Sequence, residues 1–162
     1  MLAASTPAGG QRPLSPGERV LTHAVFGTAV AVEQVRLRRR RFLPFQPAAT
    51  VMAPNGHLYF PPACPLWHED FAAAPLPLQG LFVHEMVHVW QTQTHGRWYL
   101  PLRRMPWCRY DYRLTPGQPF AAYNVEQQAE IIRHLFLARH GAGPMTTADQ
   151  ALAQAIVPFR GA

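Results

Sequence analysis

The chain of 162 residues contains no lysine: all fifteen of its basic residues are arginine, and with nine Asp and Glu the net charge is +6. A basic surface suits nucleic acid, an anionic membrane or an acidic partner, and charge alone does not choose among them. Cysteine is nearly absent. Cys64 and Cys108 stand apart, with no CxxC pair and no zinc-finger spacing, so a disulfide-built scaffold is excluded and either free thiols or one bridge remain. No apolar run approaches the ~18 residues that a bilayer-crossing helix needs. The N-terminus lacks the charged start and apolar core of a Sec signal peptide. The expectation is a chain made in the cytoplasm, whose export would need a dedicated machine.

Charged residues are also sparse, at 15%, while 48% of the chain is apolar, which places it among globular proteins rather than disordered ones. Seventeen prolines and eleven glycines imply short elements and many connections. Residues 1–13, rich in Ala, Pro and Gly, read as a flexible leader before one domain over 14–162. In "LSPGERVLTHAVFG", Ser15, Pro16 and Glu18 form a helix-start signature, and Val20, Leu21, Ala24 and Val25 supply an apolar stripe that Gly27 ends. The partial alternation of Val30, Val32, Val35 and Leu37 predicts a strand. "ATVMAPNGHLYFPP" predicts a hairpin turning at Asn55-Gly56, with "HLYFPP" either a core strand or an edge that could pair with an extended peptide. After a proline-rich loop over 61–77, helices are expected from about Leu78 to Thr94, within "AAYNVEQQAEIIRHLFLARHG", and over "MTTADQALAQAI". The fold class is α+β: one small domain, a short antiparallel hairpin or sheet plus helices.

The chemistry concentrates in "LFVHEMVHVWQTQTHG", residues 81–96. On a helix, His84 and His88 lie one turn apart on one face and can aim two imidazole nitrogens at one point. Glu85 is rotated by about 100° and is free to act on a water there. This is the HExxH pattern of zinc hydrolases, in which the glutamate is the general base. A core helix with incidental polar residues is the plain alternative, but two imidazoles and a carboxylate in an apolar segment are costly to bury without partners. A third ligand in the pattern HExxHxxGxxH fits poorly, because Gln91 stands at the glycine position, Thr94 at the last histidine, and His95 comes one residue late.

Glu126 and Glu130 share a helix face at i, i+4 in "YNVEQQAEII". The pair resembles that of thermolysin-like (gluzincin) sites, where one glutamate binds zinc and a carboxylate four residues on supports a zinc histidine. Glu69 and Asp70, in the loop before the helix, are weaker alternatives. Gln91 shares the histidines' face and is a candidate partner of the site. Tyr112 and Tyr123 are the candidate donors to a developing oxyanion, with Tyr110 and His95 behind them. Trp67, Trp90, Trp98 and Trp107 read as core or cleft lining, and the run Arg38 to Arg41 as a solvated face or an anion-binding patch.

"FVHEMVHVWQ", "RYDYRL" and "FAAYNVEQQAEII" together resemble the metallopeptidase domain found at the C-terminus of some VgrG spike proteins of type VI secretion, over roughly residues 14–140. The resemblance implies a zincin-like fold with HExxH on a central helix, Zn2+ on His84, His88 and Glu126, and Glu85 as the catalytic base. It also implies a peptide or protein substrate rather than nucleic acid, and type VI secretion components or an immunity protein as partners. The competing expectation is a zinc-stabilised structural module of a secretion or injection particle, without turnover.

Overall fold

A computed structural model describes residues 5–161 as a single α+β domain of five α-helices and a three-stranded sheet. The strands are short, as the proline content requires. β1 (Gln11–Pro13) pairs antiparallel with β2 (Arg36–Arg38), and β2 pairs in parallel with β3 (Leu58–Tyr59). The sheet is therefore mixed, whereas the sequence predicts an antiparallel one. The expected hairpin at Asn55-Gly56 contracts to one bridged pair, Met52 with Tyr59, because the next ladder positions on either side hold Pro54 and Pro61, which have no N–H to donate. The turn itself is present, with Gly56 at φ +88°.

The stretch expected as a leader departs from that reading. Residues 1–4 lie outside the described residues, but residues 5–13 are tied down. Thr6 donates to both oxygens of Glu69, and β1 carries Arg12 into a buried pair with Glu18 at 2.8 Å. The strand predicted over Val30–Leu37 begins late, since Val32–Gln34 forms a 3-10 turn first.

The helices follow their caps. α1 (Pro16–Phe26) starts on a Ser15–Glu18 capping box, α4 (Val125–Arg139) on an Asn124–Gln127 box and α5 (Thr147–Ile156) on a Thr146–Asp149 box. α2 (Leu76–His95) is the longest and ends at Gly96, φ +93°. Its residues from Phe82 to Thr92 are buried without a break, so this helix is a central rod rather than an amphipathic surface element. Phe60, Phe71 and Phe82 stack along one side of it at centroid spacings of 5.4 and 5.6 Å. On the other side lie Ile131, Ile132, Leu135 and Phe136 of α4. A short α3 (Tyr99–Arg103), absent from the sequence reading, opens the connection between α2 and α4. Trp98 and Trp107, expected in the core or cleft, are 61% and 72% exposed on this connection, whereas Trp90 is buried. No helix among the described residues is long and apolar enough to cross a membrane.

Candidate metal centre

Packing α2 against α4 buries six of the polar residues named from sequence and brings His84, His88 and Glu126 together. His84 Nε2 and His88 Nε2 are 3.3 Å apart, and Glu126 Oε2 lies 3.4 Å from the first and 3.3 Å from the second. Three donor atoms thus form a nearly equilateral triangle. A tetrahedral ion with bonds of ~2.0–2.1 Å holds its ligand atoms ~3.3 Å apart, so the edges match that geometry.

The hydrogen-bond network fixes what these atoms offer. His84 Nδ1 is 2.7 Å from Glu130 Oε1, a carboxylate that only accepts, so His84 carries its proton on Nδ1. His88 Nδ1 donates to Gln91 Oε1 at 2.8 Å, and Gln91 is oriented by donating to Val125 O and Gln128 Oε1. In the neutral forms each Nε2 therefore presents a lone pair to the other and to Glu126. Glu126 is fully buried and neither of its carboxylate oxygens has a hydrogen-bond donor. Arg104 Nε approaches Oε1 to 2.7 Å, an ion-pair distance, but its N–H is not aligned for a hydrogen bond. Three converging lone pairs with no donor between them call for a cation, and the donor set of two imidazoles and one carboxylate suits zinc.

In the metal-free protein the surrounding acids favour a proton where a cation would sit. Burial opposes ionisation of Glu126, but His84, His88 and Arg104 outweigh it and hold its carboxyl far below the ordinary range. Burial likewise opposes a charged His84, yet Glu126, Glu130 and Glu85 raise that imidazole to about 9. Glu85 is buried and moves the other way, its pKa raised by desolvation despite the neighbouring imidazoles and Arg104. It lines a cleft of about 330 Å³ together with His84, Arg104, Tyr110, Glu130 and Arg133, walled opposite by Ala49 to Val51. A larger cavity of about 670 Å³ lies between α1, α4, α5 and residues 157–161, and it contains none of these residues.

Other expected site residues fall elsewhere. Tyr123 is buried with its hydroxyl bonded to Arg113 O and Thr115 N, so it staples a loop and does not face the cleft. Tyr112 binds His134 Nδ1 at 2.7 Å, on the far side of Glu130 from the histidines. The tyrosine beside the site is Tyr110, whose ring stacks over His84 at 6.3 Å. Glu69 and Asp70 are committed to the N-terminal segment, through Thr6 and Ser15 respectively. His95 stacks on Tyr99. The arginine run is stitching: Arg38 donates to the Tyr59 hydroxyl, Arg39 to Thr6 O and Arg41 to Gln46 O. Arg104 had no signal in the sequence, because its connection has no period and only the fold carries it to Glu126.

The fold and this cluster define a small α+β domain built around a buried His-His-Glu centre. No protein-family model matches the chain. It is 42% identical over 139 residues to the type VI secretion system spike protein VgrG2b of Pseudomonas aeruginosa, an alignment that spans 82% of this chain but 13% of that protein. The solved effector domain of Pseudomonas aeruginosa VgrG2b superposes with a TM-score of 0.71 and 36% identity, covering 95% of this chain and 86% of that one. The chain therefore belongs to the VgrG2b effector-domain family.

Proposed function

We propose that the chain is a zinc-dependent peptidase domain of the type VI secretion effector class, with His84, His88 and Glu126 as the metal ligands. The observation that carries this reading is the triangle of donor atoms, about 3.3 Å on each edge and without a hydrogen-bond donor inside, next to the buried Glu85. A zinc ion held by these residues would supply Lewis acidity and would lower the pKa of a water to ~7. Glu85 is the base that takes the proton from the attacking water and returns it to the leaving amine. Its carboxyl, raised by burial, is better matched to that double task than an exposed glutamate would be. Tyr110 and Arg104 line the same cleft and are the donors for the carbonyl oxygen of the scissile bond, in place of Tyr112 and Tyr123.

The secretion part of the proposal rests on similarity to a spike protein and its effector domain, with type VI components and an immunity protein as partners. It predicts that the protein disappears from culture supernatants when the contractile apparatus is deleted. Chemistry is tested by metal analysis and a peptide-library assay on the wild type and Glu85→Gln. The wild type should carry one zinc per chain and cleave. Glu85→Gln should keep its zinc and lose turnover by ~10²–10⁴-fold, the usual contribution of a positioned base. A zinc-loaded wild type that cleaves nothing would favour the structural module instead.

A further inference from the structure

The carboxylate behind His84 is itself held from behind. Glu130 Oε1 accepts from His84 Nδ1 at 2.7 Å, while Glu130 Oε2 lies 3.2 Å from His134 Nε2. His134 Nδ1 in turn lies 2.7 Å from the Tyr112 hydroxyl. The carboxylate only accepts, so a proton on His134 Nε2 suits this contact, a close electrostatic approach rather than an aligned hydrogen bond. In the neutral ring this leaves Nδ1 as an acceptor for the Tyr112 O–H. Tyr112 remains a phenol at ordinary pH, since burial raises its pKa and the Glu130 charge raises it further. Tyr112, His134, Glu130 and His84 therefore form a continuous polar chain, hydrogen-bonded at both ends and in electrostatic contact between His134 and Glu130.

A Glu130–His134 pair at i, i+4 could be an ordinary helix-surface contact. Two features speak against that. The side chains of Glu130 and His134 are only 12% and 21% exposed, and Tyr112 reaches His134 from a different segment, the connection before α4. Arg133 Nη1 adds a second hold on Glu130 Oε1 at 3.3 Å.

We propose that His134, set in its tautomer by Tyr112, is a positioning residue of the metal centre: it fixes the rotation of Glu130 and so aims the Nε2 lone pair of His84. This deepens the zinc reading and rests on it. Outer partners of metal-bound histidines typically contribute ~10–100-fold in metal affinity. His134→Phe keeps the ring but loses both nitrogens, so zinc affinity measured by chelator competition should fall by about that factor. His134→Gln can present an amide N–H near the position of Nε2 and should recover most of the loss. Tyr112→Phe should weaken binding less, and it guards against a His134→Phe variant that fails to fold. Cobalt(II) replaces zinc as a spectroscopic probe, and its visible bands should shift in His134→Phe but not in His134→Gln, a change that a merely structural role would not produce.

The outcomes separate two failures. If the wild type binds neither zinc nor cobalt, the metal reading falls and this inference with it. If the wild type binds both and a folded His134→Phe binds as tightly with unchanged bands, the positioning role alone is overturned. Equal losses in His134→Phe and His134→Gln would also overturn it, because the N–H to Glu130 would then not be what matters.

Discussion

Glu126 and Glu130 are one helical turn apart on α4, yet their chemistry differs. Glu126 is fully buried with both oxygens lacking a donor, whereas Glu130 accepts from His84 and Arg133 and lies against His134. The two should therefore respond differently to the same substitution. Glu126→Gln removes the charge facing two imidazole lone pairs and should abolish stoichiometric zinc. Glu130→Gln keeps an oxygen that can accept from His84 Nδ1 and should weaken zinc by no more than the ~10–100-fold of an outer partner. Isothermal titration of each apo variant with zinc measures both, and equal losses would contradict the division of roles. The i, i+4 spacing of these acids was legible in the sequence, and so was the HExxH. Other parts were less so: Arg104 reaches it through a connection without periodicity, Tyr110 was named only behind Tyr112 and Tyr123, and His134 approaches Glu130 with Tyr112 folded back onto it.

Among the elements, the four longer helices could be read from sequence, and the short α3 and the sheet could not. Ser15 announces its helix with a capping box, a signal contained within four residues, whereas the boxes at Asn124 and Thr146 are seen in the structure. The strands have three residues or fewer and owe their pairing to partners far along the chain, so alternation has no length over which to show itself. Glu18 illustrates the difference. The sequence identifies it as a cap, and it does accept from Ser15 N. It also accepts two bonds from Arg12 at 2.8 Å and one from Phe71 N at 2.9 Å, which ties β1, α1 and the loop before α2 together. Glu18→Ala leaves a largely buried arginine without its partner, a loss that costs ~3–5 kcal/mol in comparable buried pairs. The expected result is a fall in the urea midpoint with an unchanged slope. A shift as small as that of a lost cap alone, ~1 kcal/mol, would mean that Arg12 finds another partner.

At the scale of the whole molecule, the same cluster that could hold a metal also joins α2 to α4, so folding and metal binding share one set of titrating groups. In the metal-free protein, Glu126 and Glu130 titrate below their ordinary 4.5, and the stability they contribute is present above 4.5 and lost as pH falls through the folded values. His84 is raised from 6.5 to about 9, so its contribution is complete below 6.5 and is lost as pH rises through about 9. Glu85 acts in the opposite sense: raised by burial, its ionisation costs stability above 4.5 and offsets part of the gain from the other two acids. The metal-free chain should therefore be most stable between about 4.5 and 6.5 and weaken on both sides. Zinc changes only one side in kind. Zinc bound as proposed would take the place of the proton at His84 Nε2, so the alkaline loss should disappear, while the acid loss should steepen because protons would then displace the ion as well. Melting temperatures recorded across pH, with EDTA and with one equivalent of zinc, test this directly. If the alkaline limb is the same in both series, His84 does not exchange its proton for the metal, and the His-His-Glu cluster is a salt-bridged core rather than a metal centre.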